Sequence, residues 1–140
     1  MRPTSLVFSA VAGLGLIAGC AQHREEVRRD ATVAALAKYP GNVQKSDRVQ
    51  VAAVDYREDK RLELLNLGDG PVESPMIWVN KTYVNKAPTI PTRGSVVIKY
   101  VDLIQQGQGV QDLATTNQPV QMVEIQTAEG LYSAMGPARK

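Results

Sequence analysis

Short apolar runs separated by turn residues fill the chain from residue 48 onward. The runs are rich in Val, Ile, Leu and Tyr, and Gly, Pro, Asn and Asp stand between them. Runs of this length and composition are typical of β-strands joined by turns. In residues 61–67, RLELLNL, leucines occupy both faces of such a strand. The predicted strands cover residues 48–56, 61–67, 76–79, 82–84, 96–101, 120–127 and 131–135.

About seven short strands at this spacing predict a mainly β fold, an antiparallel sandwich of two sheets. A hairpin is predicted across Asn80 and Lys81, because Asn tolerates the positive φ that a tight turn needs. Trp78 lies in the third strand. We expect its ring either to fill the core or to stack on a bound ligand.

A polar segment rich in glutamine, residues 105–119, separates the fifth strand from the sixth. Binding residues often lie on loops that a rigid scaffold holds in place. Gln105, Gln108 and Gln111 are therefore candidate binding residues. The alternative is a connector with no binding role.

Residues 22–38 show a different pattern, with Val27, Ala31, Ala34 and Ala35 spaced as on one face of a helix. Pro40 and Gly41 would end this helix, since both residues break helices. The apolar face consists mostly of alanine and buries little area. The segment is predicted to be a solvated spacer or, alternatively, a helix that docks on the domain or on a partner.

The first residues of the chain resemble a leader. Arg2 is followed by an uncharged stretch, LVFSAVAGLGLI, from Leu6 to Ile17. Spanning a bilayer takes about 20 apolar residues, whereas an apolar stretch of about 10–14 suits the core of a signal peptide. The small residues Ala18 and Gly19 then fit a peptidase cleavage site.

The stretch Ile17-Ala18-Gly19-Cys20 resembles the lipobox of bacterial lipoproteins. The resemblance implies that the Cys20 sulfur receives a diacylglyceryl group, since a thiol supplies the nucleophile. It also implies cleavage before Cys20, so that residues 1–19 are the signal peptide and 20–47 a lipidated cysteine and helical spacer. Two or more acyl chains anchor a protein stably. Ala21 favours the outer membrane, on its periplasmic face.

Composition and charge exclude several functions. The net charge is +2 at pH 7, which leaves no basic excess to hold a phosphate backbone, so nucleic acid is not expected as a partner. The chain has one cysteine and one histidine. Neither a disulfide nor a Ser-His-Asp or Cys-His catalytic arrangement is predicted, and the sequence shows no metal-ligand spacing and no cofactor motif.

A second resemblance covers residues 48–136. The stretches LLNLG (64–68), IWVN (77–80) and PTRGS (91–95) ahead of VVI (96–98) resemble immunoglobulin-like modules of bacterial surface proteins, in particular the bacterial cell-adhesion-related domain. The resemblance implies an immunoglobulin-like sandwich, with residues 137–140 as a tail. Such modules bind, space or present other molecules.

The sequence therefore predicts a non-enzymatic, membrane-anchored envelope lipoprotein whose sandwich engages another envelope protein. The alternative is a lipoprotein that binds glycan or peptidoglycan through Trp78 or the segment 105–119. A hydrolase would need two carboxylates to meet in a cleft. Homo-oligomerisation through an edge strand is a further possibility, because an unpaired edge readily takes a partner strand.

Overall fold

The computed structural model describes residues 33–34, 36–45, 48–107 and 111–140. The predicted signal peptide, Cys20 and most of the predicted helix at 22–38 lie outside the described residues. In chain order the strands are β1 (Val43–Gln44), β2 (Val51–Tyr56), β3 (Arg61–Asn66), β4 (Met76–Val79), β5 (Tyr83–Lys86), β6 (Ser95–Lys99), β7 (Ile104–Gln105), β8 (Val123–Thr127), β9 (Gly130–Ser133) and β10 (Met135–Arg139).

The strands form a six-stranded sheet, β1-β9-β8-β4-β5-β7, and a four-stranded sheet, β10-β2-β3-β6. The prediction of a mainly β fold is confirmed. Both sheets are mixed rather than antiparallel, because β1 pairs parallel with β9 and β10 pairs parallel with β2. These two strands come from the predicted spacer and from the last residues of the predicted domain and its tail. Their pairing satisfies backbone groups and has little basis in side-chain pattern, since β10 contains Gly136 and Pro137.

The core lies between the two sheets. In β2 and β3 every second side chain is buried, as expected for strands with one covered face. The apolar ones among them form one cluster with buried side chains of the six-stranded sheet. From the four-stranded sheet the cluster takes Val51, Ala53, Leu62, Leu64 and Ile98, and from the other Ile77, Val79, Tyr83, Val123 and Ile125.

The predicted hairpin joins β4 to β5. Asn80 and Lys81 have φ of +53° and +60°, and the Thr82 amide donates to the Val79 carbonyl over 3.1 Å. The side chain of Asn80 also holds the segment that leads into β8, because its oxygen accepts from the amides of Gln121 and Met122. The turn is thus tied to the neighbouring strand.

The segment 105–119 is more ordered than a polar loop, as far as its described residues go. It begins in β7 and contains a one-turn helix, Leu113–Thr116, whose first amides are capped by Asp112. The Asp112 carboxylate accepts from the Thr115 amide at 2.8 Å, a typical N-cap contact. Leu113 is fully buried in the core, so an apolar anchor fixes the segment to the domain. In the described part of the chain, no helix has the length and apolarity to cross a membrane.

Candidate functional site

The outer face of the six-stranded sheet is covered by the chain's own N-terminal segment. We call residues 33–34 and 36–45 the N-terminal strap. Its first residues are helical, with the Ala37 amide donating to the Val33 carbonyl over 2.8 Å, and its last residues form β1 beside β9. In the described part of this region, Ala34, Ala37 and Tyr39 pack on the domain.

Trp78 lies beneath the strap. Its neighbours in β4, Ile77 and Val79, face the core, so the indole points to the opposite face of the sheet. There it packs in a second apolar cluster and is 0% exposed. The indole N–H donates to Gln126 Oε1 over 2.8 Å. The buried members of this second cluster are Ala34, Trp78, Val84, Ile104 and Leu131.

Tyr39 is the strap residue that closes over Trp78. The two rings meet edge to face, with centroids 5.4 Å apart and planes at 80°. This arrangement aligns the positive edge of one ring with the negative face of the other. With the strap in place, the indole has no exposed surface on which a sugar could stack.

A buried carboxylate, Glu124 of β8, lies directly opposite Trp78 on the neighbouring strand and is 0% exposed. The Tyr39 hydroxyl donates to it from 2.8 Å of each oxygen. Burial, the hydrogen bond to Glu124 and the charge of Glu124 together raise the pKa of Tyr39 to about 12. The phenol therefore stays protonated at neutral pH and acts as a hydrogen-bond donor rather than as a base or nucleophile.

Gln106 links the strap to the β4–β5 turn. Its side-chain oxygen accepts from the Tyr39 amide at 3.2 Å, and its side-chain nitrogen donates to the Lys81 carbonyl at 3.3 Å. The next amide, that of Gly107, donates to the Ala34 carbonyl over 3.1 Å. Sequence reasoning missed Gln106, because nothing in a run of glutamines marks the one that faces the strap.

The predicted glutamines are placed differently. Gln105 lies in β7, paired with Tyr83 of β5, and its amide donates to the carbonyl of Gln111. Gln111 is exposed beside it. Gln108 lies outside the described residues. The structure therefore brings Gln105 and Gln111 together through their backbones.

A second carboxylate–phenol pair lies inside the core. Asp55 of β2 is 1% exposed, and the Tyr100 hydroxyl donates to its Oδ1. Burial raises the pKa of Tyr100, and the hydrogen bond to Asp55 adds to the increase. Both buried carboxylates with phenol partners are thus held by hydrogen bonds, which offsets much of the cost of their desolvation.

A surface cleft of about 600 Å³ lies at one end of the domain. The segment that leads into β2, the β3–β4 connection and the β8–β9 turn form its walls. The charged side chains that line it are Arg48, Asp69, Glu73 and Glu129. The cleft thus carries three carboxylates and one guanidinium.

Asn66 shapes one wall of this cleft. Its side-chain nitrogen donates to the carbonyls of Gly70 and Ile90, and its oxygen accepts from the Gly68 amide. Gly68 itself passes so close to the chain that a Cβ there would lie 2.8 Å from the Arg48 carbonyl oxygen. The wall is therefore set by backbone geometry, and only glycine fits at position 68.

Candidates for metal binding or catalysis are few among the described residues. Within the described ranges, no group of three or more His, Cys, Asp or Glu side chains is placed to hold a metal ion. The two phenol–carboxylate pairs are buried, and the carboxylates of the cleft lie on exposed or half-exposed segments.

Comparison with protein-family models, with curated proteins and with solved structures gave no match for this chain. Two surfaces of the domain are chemically distinctive. These surfaces are the strap-covered face around Trp78 and the open cleft beside Asp69.

Proposed function

We propose that this protein is a non-enzymatic lipoprotein of the bacterial envelope, anchored through Cys20, whose domain binds another envelope protein. The Ile17–Cys20 stretch behind an uncharged leader supports the anchor. The strap supports a close connection between anchor and domain, because Ala34, Ala37 and Tyr39 pack on the domain a short distance along the chain from Cys20. The periplasmic face of the outer membrane is the proposed location.

We further propose that the fold is an immunoglobulin-like sandwich with three added edge strands, β1, β7 and β10. Strands β2, β3 and β6 would correspond to the A, B and E strands, and β4, β8 and β9 to C, F and G. Strand β5 beside β4 would take the place of the extra strand of variable-type domains. The sheet order β9-β8-β4-β5 facing β2-β3-β6 supports this assignment.

The position of the cleft is the main support for the proposed binding of a partner. The strap enters the domain beside Gln106 and the Asn80–Lys81 turn, which is bonded to Met122 just before β8. The cleft lies at the other end of β8, at residues 127–129. Five residues of strand separate the two ends by about 16 Å. An anchor that leads into the strap would leave the cleft facing away from the point of entry, where a partner has access.

The charges of the cleft favour a partner segment with basic side chains, since three carboxylates line it against the Arg48 guanidinium, and the Arg93 guanidinium, 3.6 Å away, pairs with only one of them, Asp69. The glycan alternative has less support. Among the described residues that line the cleft none is aromatic, and sugar sites commonly use an exposed ring as a stacking surface.

The anchor is tested by metabolic labelling of cells with a palmitate analogue. Wild-type protein and the neighbouring control Ala21→Ser should both incorporate label, whereas Cys20→Ser should not, because only a thiol accepts the diacylglyceryl group. Equal labelling of Cys20→Ser and wild type would overturn the anchor.

The partner is tested by photocrosslinking in intact cells, with a photoreactive amino acid at Glu73 in the cleft and a matched probe at Glu58 in the exposed β2–β3 turn. Purification through a C-terminal tag and mass spectrometry would identify adducts. We expect a discrete protein adduct from position 73 that position 58 does not give. Uncrosslinked protein alone, or attached glycan, from position 73 would contradict the proposal.

A further inference from the structure

The free edges of the two sheets are not equivalent. The six-stranded sheet ends in β1 and β7, which have two residues each. The four-stranded sheet ends on one side in β10, whose register shifts between Met135 and Ala138 around Pro137. Its other side ends in β6, with five residues in unbroken register with β3. Short or irregular strands protect an edge from pairing, so β6 is the regular edge left open in the described domain.

The backbone N–H and C=O groups of β6 point alternately towards β3 and away from the sheet. Gly94 accepts a hydrogen bond from the Asn66 amide, and Tyr100 donates to the Lys60 carbonyl. Alternation in an antiparallel ladder then directs the backbone groups of Val96 and Ile98 towards β3. The amides and carbonyls of Ser95, Val97 and Lys99 consequently point away from the sheet. Apart from residues outside the described ranges, these three residues have no backbone partner on that side.

We propose that β6 pairs antiparallel with β6 of a second copy of this chain, around a two-fold axis at Val97. In this register Val97 faces Val97 of the second copy, and Ser95 faces Lys99. All three outward residues then exchange both of their backbone hydrogen bonds. The two four-stranded sheets become one continuous eight-stranded sheet, and the contact is isologous, as a closed dimer requires.

The side chains fit this register. Val97 is 49% exposed on the outer face, and pairing places two valines together at the axis, where β-branched pairs are favourable. On the inner face, half-buried Val96 meets Ile98 of the second copy, which extends the apolar row. Each Lys99 lies beside a serine and is separated from the other Lys99 by about 13 Å along the strands, so like charges do not oppose.

The predicted dimer is weak in free solution. A five-residue strand pair buries much less than the roughly 1,000 Å² expected of a stable interface. Attachment of both copies to one membrane would raise their effective concentration. Only this increase depends on the proposed anchor. The pairing itself does not require lipidation.

The register is tested by disulfide crosslinking of the full chain in a Cys20→Ser background, where an introduced cysteine is the only thiol. In the proposed pair the Cα atoms at position 97 lie about 5.5 Å apart, within the range that a disulfide spans. Val97→Cys should therefore form dimers under mild oxidation with copper–phenanthroline. The control Glu63→Cys lies beside Val97 on β3, about 15 Å from its equivalent, and should form about tenfold fewer dimers.

A mixture distinguishes this pairing from chance collision. Ser95→Cys and Lys99→Cys should each crosslink poorly alone, whereas an equal mixture of the two should crosslink clearly more than either, though less than Val97→Cys because only part of its pairs join unlike copies. Adding Val97→Lys to both copies, which opposes two ammonium groups at the axis, should abolish the crosslinking of this mixture with an unchanged circular dichroism spectrum. Equal dimer yields from Val97→Cys and Glu63→Cys, or no gain in the mixture, would overturn the proposal.

Discussion

The two sheets present their outer faces very differently. On the six-stranded sheet the strap packs Ala34 and Tyr39 over Trp78, so that β4 and β8 are buried on both sides. On the four-stranded sheet the outer side chains of β2 and β3 are half-exposed, and Val97 of β6 is open to solvent. The described residues thus give the domain one covered face and one open face.

This difference in burial between the two faces is partly visible in the strand sequences. A strand buried on both faces reads as a continuous apolar run, and β4 is MIWV. A strand with one open face can alternate, as in Arg61-Leu62-Glu63-Leu64 of β3, whereas β2, VAAVDY, alternates in burial but not in polarity. Its Asp55 faces the core, where the Tyr100 hydroxyl donates to it. The covered face also buries a charge, Glu124, so its stability depends on a hydrogen bond as well as on apolar contact.

The largest effect is expected at Trp78. Trp78→Ala should lower the free energy of unfolding by about 3–5 kcal/mol, because it removes a fully buried ring and leaves a cavity under the strap. Val97→Ala, on the open face, should change it by no more than about 0.5 kcal/mol. Urea denaturation followed by circular dichroism measures both, and similar losses for the two variants would contradict the difference between the faces.

A smaller loss is expected when the hydroxyl over Glu124 is removed. Tyr39→Phe leaves a buried carboxylate without its donor and should cost about 1–3 kcal/mol of unfolding free energy. Tyr56→Phe is the matched control on the open face, where the ring lies under the Arg61 guanidinium at 4.3 Å. If Tyr39→Phe were as stable as Tyr56→Phe in the same urea titration, the Tyr39–Glu124 contact would have no energetic role.

The pH dependence of the unfolding free energy should also reflect the Tyr39–Glu124 contact. The pKa of Tyr39 is raised to about 12, above the value of about 10 in the unfolded chain. Between these values the unfolded state releases a proton that the folded state keeps, so stability is fully present below pH 10 and falls as the pH rises towards 12. Part of this fall should disappear in Tyr39→Phe, and the rest should persist because the pKa of Tyr100 is also raised. An identical decline in wild type and Tyr39→Phe would show that Tyr39 does not titrate in this way.

A smaller effect than that of Tyr39→Phe is expected for the Arg61–Tyr56 contact on the open face. Arg61→Gln removes the cation over the Tyr56 ring and should cost about 0.5–1 kcal/mol, since a solvated cation–π contact contributes little. Lys99→Gln, its neighbour in register on β6, serves as the control for loss of one charge on that face. If Arg61→Gln lowered the stability more than Tyr39→Phe in thermal denaturation, the Arg61–Tyr56 contact would stabilise the fold more than its exposure indicates.

Local side-chain patterns made part of the fold predictable from the sequence, whereas contacts between distant residues were missed. The strands around RLELLNL and MIWV and the turn at Asn80 carry local signals, and the structure has them. Strand β10 pairs through its backbone despite Pro137 and has no such signal. The capped helix after Asp112 did have a local signal, an Asp directly before the helical residues LATT. The contacts of Tyr39, Gln106 and Glu124 join residues far apart in the chain, and no local pattern indicates them.

Fluorescence of Trp78 tests the covered face most directly, because Trp78 is the only tryptophan in the chain. Emission and acrylamide quenching would be measured in the full chain and in Ala34→Asp, which places a charge at a fully buried strap position. The packed strap predicts blue-shifted emission and slow quenching in the full chain, and a red shift with faster quenching in Ala34→Asp at unchanged β-sheet content. Red-shifted, readily quenched emission from the full chain would show that the strap does not cover this face.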